Sequence, residues 1–163
     1  MDLSSFIKPE HVFVSLATTT KKQVLQELAD RSAEALGLES REIFEGLLER
    51  ERLGSTGVGH GVAIPHTKLD ALDGIFSMFL KLGTAIDFDA EDNQPVDLIW
   101  LLLAPTGAGA DHVKTLQRVS RLLRDDATRE KIRAESDATA IHALLIEPLP
   151  DHRSSSPKTE TTE

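Results

Sequence analysis

The sequence predicts an α/β (α+β) protein of one domain, with a mixed β-sheet sandwiched between helical layers. Three observations carry this. Two apolar runs of strand length, Ile75 to Leu82 and Val96 to Ala104, are nearly continuous rather than alternating, the pattern of strands covered on both faces. Segments with apolar residues at three- and four-residue steps lie before and after them, supplying helices for those faces. At 163 residues the chain can bury one core of ordinary size.

Taken in order, Val12-Phe13-Val14 reads as a short strand bounded by the polar Thr18-Thr19-Thr20. Thr20 and Gln23 fit a capping box. Val24, Leu25, Leu28, Ala29 and Leu36 then keep helical spacing until Gly37. Ser40 is placed as the cap of a second helix, with Ile43, Phe44, Leu47 and Leu48 on its apolar face. That helix runs out through Glu49-Arg50-Glu51-Arg52 into Gly54. Asp92, Asn93 and Pro95 supply turn chemistry between the two apolar strands, and Pro105 to Gly109 ends the second. The last third is helical: Asp111 is placed as a cap before Val113, Leu116, Val119, Leu122 and Leu123. Asp126 is placed before a short helix over Ile132, and Ser136 before one holding Ile141, Leu144 and Leu145. Pro148 and Pro150 stop the pattern. The domain is therefore drawn over 1–150, and 151–163, Ser/Thr-rich with no apolar anchor, as a disordered polar tail.

With 18 basic and 27 acidic residues the net charge is −9, which argues against nucleic acid or an anionic membrane as a partner. No cysteine is present, excluding disulfides and thiol catalysis and fitting a reducing compartment. The N-terminus lacks a basic region followed by an apolar stretch. The longest apolar run, Leu98 to Ala104, is far short of the ~20 residues that span a bilayer. The expectation is a cytoplasmic protein without membrane insertion.

The stretch from Ser55 to Lys68 is unlike the rest. Gly57, Gly59 and Gly61 give a backbone that turns sharply and comes close to a ligand, and Pro65 restricts the residue that follows it, His66. A structural histidine belongs more naturally inside a periodic segment. A neutral imidazole is a competent nucleophile near pH 7, and no Ser-His-Asp or Cys-His arrangement offers a different nucleophile, so His66 is the first candidate. His112 lies in the first turn of a helix behind Gly107 and Gly109. Spacing leaves open whether it faces an anion at the helix N-terminus or is simply exposed. Arg50 and Arg52 are accounted for by the helix dipole, the alternative being that one pairs with an oxyanion held by His66. Ser55 and Thr56 either end the helix or offer hydroxyls to an anion. His60 raises a metal question. No cysteine and no H-x-x-x-H pair accompany it, and Gly61 and Pro65 intervene, so no metal site is expected. The glycines fit no Walker A pattern.

Gly54-Ser55-Thr56-Gly57-Val58-Gly59-His60-Gly61-Val62-Ala63-Ile64-Pro65-His66 strongly resembles the phosphohistidine motif of the fructose/mannitol-type enzyme IIA proteins of the bacterial phosphotransferase system. Asp92-Asn93-Gln94-Pro95-Val96-Asp97-Leu98, followed by Leu101-Leu102-Leu103-Ala104-Pro105, resembles that family's other signature. Gly-Ser-Thr-Gly and Asp-Asn-Gln-Pro-Val-Asp-Leu are most similar to its nitrogen-regulatory branch. The resemblance covers about residues 5 to 146.

It implies the mannitol-type enzyme IIA fold and these roles: His66 accepts a phosphoryl group, His112 hydrogen-bonds the phosphate or orients His66, and Arg50 neutralises phosphate charge. Ser55, Thr56, Gly57 and Gly59 then form the loop near the phosphate, admitting a partner's phosphohistidine. The donor implied is an HPr-like phosphocarrier of the nitrogen type. The targets implied are regulated proteins such as transporters or sensor kinases, and no cofactor is required. Two alternatives stand beside this reading: a sugar-specific IIA component feeding a fructose/mannitol-type permease, and a non-phosphorylated interaction module. Thr67, where glycine is frequent, and His60, where asparagine is frequent, depart from the family pattern.

Overall fold

A computed structural model describes residues 3–147; the polar tail expected over 151–163 lies outside the described residues. After two short 3-10 turns, β1 (Val12–Leu16) leads into α1 (Lys21–Leu36) and α2 (Ser40–Leu53). Three short strands follow, β2 (Gly57–Gly59), β3 (Val62–Ala63) and β4 (His66–Leu69). The long strands β5 (Phe76–Ile86) and β6 (Val96–Pro105) come next, then α3 (Ala110–Arg124), α4 (Asp126–Ala134) and α5 (Ala138–Ile146).

The sheet is mixed. β1 pairs parallel with β5, and β5 antiparallel with β6. The other edge of β6 is shared in tandem: β3 pairs parallel with Leu98 and Ile99, and β4 parallel with Leu102 to Pro105. β2 folds back antiparallel on β3. The continuous apolar run of β6 divides by parity, as a period of two requires. Ile99, Leu101 and Leu103 join the core under α1 and α2, where Leu25, Leu28, Ile43 and Leu47 are buried. Leu98, Trp100 and Leu102 join the core under α3 to α5, with Val119, Leu122, Ile132 and Ile141. Each such side chain contributes about 1.5–3 kcal/mol by leaving water. The expected mixed sheet between helical layers is the fold observed.

Local details differ from the sequence reading. The Thr20 cap forms, its hydroxyl oxygen accepting from the Gln23 N–H at 3.1 Å. The Gln23 side chain, however, reaches back one residue further, accepting from the Thr19 N–H at 2.7 Å. Ser40 is the first residue of α2 rather than its cap; Glu39 takes the extended cap conformation, and the Ser40 hydroxyl donates to the Asp30 carboxylate of α1. Gly109, at φ +53°, occupies the cap of α3, so Asp111 lies inside the first turn, where its charge suits the dipole. The caps of α4 and α5 are Asp125 and Asp137, accepting from the Thr128 and Ala140 N–H groups at 2.9 Å, instead of Asp126 and Ser136. At α2, α4 and α5 the two candidate residues are adjacent, and the one that stays extended is the cap.

The strands β2, β3 and β4 were not foreseen. Each is four residues or fewer, among three glycines and a proline, and their pairing comes from neighbours rather than intrinsic preference. Pro65 marks the break between β3 and β4, as its missing N–H requires. Its carbonyl still accepts from the Leu102 N–H at 3.0 Å, so the segment stays attached to β6.

Trp100 is fully buried, packed edge-on to Phe79, and its indole N–H donates to the buried Ser77 hydroxyl at 2.9 Å. Ser77→Ala leaves that donor unsatisfied, at a cost of about 1–3 kcal/mol. Thermal unfolding should show a midpoint lowered by several degrees; an unchanged midpoint would mean the bond carries no stability.

Candidate functional site

His66 opens β4, directly after Pro65 and beside Leu102 of β6. Two neighbours fix its ring. Nδ1 lies 2.9 Å from the Ile64 carbonyl oxygen, and Nε2 lies 3.3 Å from Nε of Arg50. A carbonyl can only accept and a guanidinium can only donate. Both contacts are hydrogen bonds in one tautomer alone, with the proton on Nδ1 and the lone pair on Nε2.

Arg50 sits in the last turn of α2. Its Nη1 donates to the carbonyl of Gly54 at 2.9 Å, fastening the guanidinium to the helix exit while its Nε faces the imidazole. Arg52 points elsewhere, pairing with Glu49 at 3.1 Å. The helix-end reading therefore describes Arg52, while Arg50 reaches the histidine.

His112, in the first turn of α3, is 6% exposed. Its ring lies 5.6 Å from that of His66, tilted by 53°. Its Nδ1 is buried with no hydrogen-bond partner among the described residues. A buried polar atom left open in this way costs free energy unless a ligand completes it. The structure thus brings His66, Arg50 and His112 together, from β4, α2 and α3.

Both histidines are held neutral. Burial lowers the His66 pKa from its ordinary 6.5, and Arg50 lowers it further, against the raising influence of the Ile64 carbonyl and Glu51. Burial lowers that of His112 too, followed by the charges of His66 and Lys68.

The loop after α2 is fastened by its own hydroxyls. Ser55 donates to the Phe88 carbonyl at 2.8 Å and accepts from the Gly57 N–H at 3.0 Å. The Thr56 hydroxyl donates to the Glu51 carboxylate, which also accepts the Thr56 N–H at 3.1 Å. Both residues line the cavity beside His66, with their hydroxyls committed inside the protein. The close approach allowed by the glycines is also taken up internally. A Cβ on Gly57 would stand 2.8 Å from that of Ala90, and Gly59 adopts φ +100° where the chain turns beside Asp92. His60 follows at φ +59°, a left-handed conformation that asparagine and histidine both tolerate better than most residues. Its N–H donates to Asp92 at 3.0 Å and its carbonyl accepts from Arg133 at 2.7 Å. Thr67 packs on α2 at Gly46, where any side chain would collide with it.

Glu51 was passed over in the sequence. It is 8% exposed, ion-paired to Lys21 of α1 at 2.9 Å, and ties α1, α2 and the glycine loop together. Its signal was spacing: Ile43, Leu47 and Glu51 follow at four-residue steps, which puts the carboxylate on the buried face of α2.

A mixed sheet between helices thus carries an imidazole with a guanidinium and a second histidine beside it. The sequence pattern of the family described as "Phosphoenolpyruvate-dependent sugar phosphotransferase system, EIIA 2" matches residues 5–147, and the chain belongs to that family. A nitrogen regulatory protein of Bradyrhizobium diazoefficiens is 52% identical over 148 residues, 91% of this chain and 97% of that protein. The crystal structure of nitrogen regulatory protein IIA-Ntr from Neisseria meningitidis superposes with a TM-score of 0.84 at 30% identity, covering 88% of this chain and 98% of that one. The mannitol enzyme IIA of Escherichia coli, in its complex with phosphorylated mannitol enzyme IIB, shares the fold at a TM-score of 0.70. It is 18% identical, covering 86% of this chain and 98% of that one. Among the described residues, no helix is long and apolar enough to cross a membrane.

The lowered pKa values predict that both imidazoles titrate with midpoints below 6.5 in histidine-resolved NMR. The unfolded chain takes up protons near 6.5 that the folded one refuses, so stability falls as pH drops through that value. Midpoints at or above 6.5 would contradict the burial argument.

Proposed function

We propose that the chain is a phosphocarrier that accepts a phosphoryl group on His66 from an HPr-like phosphohistidine protein of the nitrogen type. In this reading it acts in the cytoplasm as a nitrogen-related regulatory component of the phosphotransferase system. The observation that carries the reading is the fixed tautomer of His66, with Nε2 neutral and facing the Arg50 guanidinium.

The chemistry follows from that tautomer. The Nε2 lone pair attacks the phosphorus in line, the Nε2–P bond forms, and the N–P bond of the donor breaks, returning its electron pair to the donor ring. The His66 proton stays on Nδ1, held by the Ile64 carbonyl, which stabilises the positive charge gained by the ring. Arg50 hands over from Nε2 to the phosphoryl oxygens. The transferred group places about two negative charges beside the ring, which raises the proton affinity of His112 and favours it as a donor to the phosphate. Little covalent work falls to the protein; positioning and charge stabilisation carry the step.

The 52% identical relative named a nitrogen regulatory protein supports regulation over sugar uptake. On this reading the phosphorylation state selects the partner, among target proteins such as transporters or sensor kinases.

Incubation with the phosphorylated carrier tests the proposal. His66→Ala should take up no label, and Arg50→Ala should take it up about a hundredfold more slowly, the usual loss for one donor to developing charge. Label on His66→Ala would remove the assigned acceptor. Onward passage to a sugar permease would favour the sugar-specific reading.

A further inference from the structure

The cavity beside His66 is larger than a phosphoryl group requires. Its volume is about 620 Å³, inside the range of small-molecule sites, whereas a phosphoryl group compares with a few waters of about 30 Å³ each. One wall is α3, from which Ser120, Arg121 and Arg124 face the cavity, their three- and four-residue spacing keeping them on one side of the helix. Arg121 and Arg124 are exposed, and neither has a hydrogen bond or ion pair among the described residues. Arg31, Arg41, Arg52, Arg129 and Arg133 by contrast all pair with carboxylates. With Arg50 the lining holds three guanidiniums against one carboxylate, Glu91, in a chain of net charge −9. Val58 and Leu116 provide an apolar surface next to them.

We propose that this cavity binds a small phosphate ester, its phosphate on Arg121 and Arg124 and its ring or apolar portion against Val58 and Leu116, and that this ligand and a phosphoryl group on His66 disfavour each other. A guanidinium fork matches phosphate oxygens two at a time, and a phosphate offers enough acceptors for two forks. The exclusion rests on the phosphocarrier reading, because His66 and Arg50 line the same cavity and two phosphates there repel. The coupling is reciprocal: the factor by which phosphorylation weakens the ester is the factor by which the ester weakens phosphorylation.

The test is calorimetric titration of the full, unphosphorylated chain with adenosine monophosphate, glucose 6-phosphate and inorganic phosphate. A parallel series uses the Arg121→Gln/Arg124→Gln variant. At least one ester should bind more tightly than inorganic phosphate, the two esters separating a nucleotide from a sugar phosphate. The double variant should lose about tenfold or more in affinity, the scale of one or two charged hydrogen bonds. Phosphorylating His66 should weaken the same ester. Absence of binding by all three probes, or an affinity unchanged in the variant, overturns the proposal. The second result would mark an adventitious anion only. It is also overturned if the two arginines matter for the carrier protein's docking while no ester binds. Arginine-dependent ester binding by a protein that takes no phosphoryl group from any carrier would sustain the cavity assignment and remove the phosphocarrier reading instead.

Discussion

The hydrogen bond from Nδ1 of His66 to the Ile64 carbonyl is the constraint on which the site depends. It decides which nitrogen of the ring carries a lone pair, and the backbone around it is held so that the decision is firm. The Ile64 N–H donates to Thr56 at 2.9 Å and the Pro65 carbonyl accepts from Leu102 at 3.0 Å. The acceptor is thereby fixed to the glycine loop on one side and to the central strand on the other. Pro65 separates β3 from β4 without detaching either from β6. The ring is thus positioned by the sheet through two residues of backbone rather than by a side-chain partner alone.

Charge is arranged around that ring at two depths. Arg50 faces it directly, while the neighbouring Glu51 is buried and engaged by Lys21 and Thr56. Its charge raises the proton affinity of the imidazole, though less than burial lowers it, and its pairing fastens the loop. Burial then dominates and keeps both histidines neutral. A neutral Nε2 is the form that can attack, and on the proposed reading His112, whose Nδ1 has no partner among the described residues, gains a proton when the phosphoryl group arrives.

Much of this was legible in the sequence, for physical reasons that can be named. The apolar runs of β5 and β6 announce strands buried on both faces, and the parity of β6 assigns its residues to the two helical layers. His66 stood out because it falls in no periodic segment. The three short strands were not legible, because their register is supplied by β6 and by the turn at Ala90 and Asp92, far away in the chain. Caps slipped by one residue where a neighbour takes the extended conformation, as at Asp125 and Asp137, and by two at α3, where Gly109 takes a positive φ. Glu51 was masked by the charged run Glu49-Arg50-Glu51-Arg52, which reads as a solvated helix end although its third member lies on the buried face. The meeting of Arg50, His66 and His112 is a tertiary fact that the family resemblance implied and local pattern alone did not.

The central claim is that the fold presents Nε2, and not Nδ1, as the nucleophile. Long-range ¹⁵N–¹H correlation of the histidine rings reads this directly, before and after phosphoryl transfer. The account predicts the Nδ1–H tautomer of His66 in the free protein and phosphorus attached to Nε2 afterwards. The Nε2–H tautomer at the start, or phosphorus on Nδ1 at the end, would contradict it.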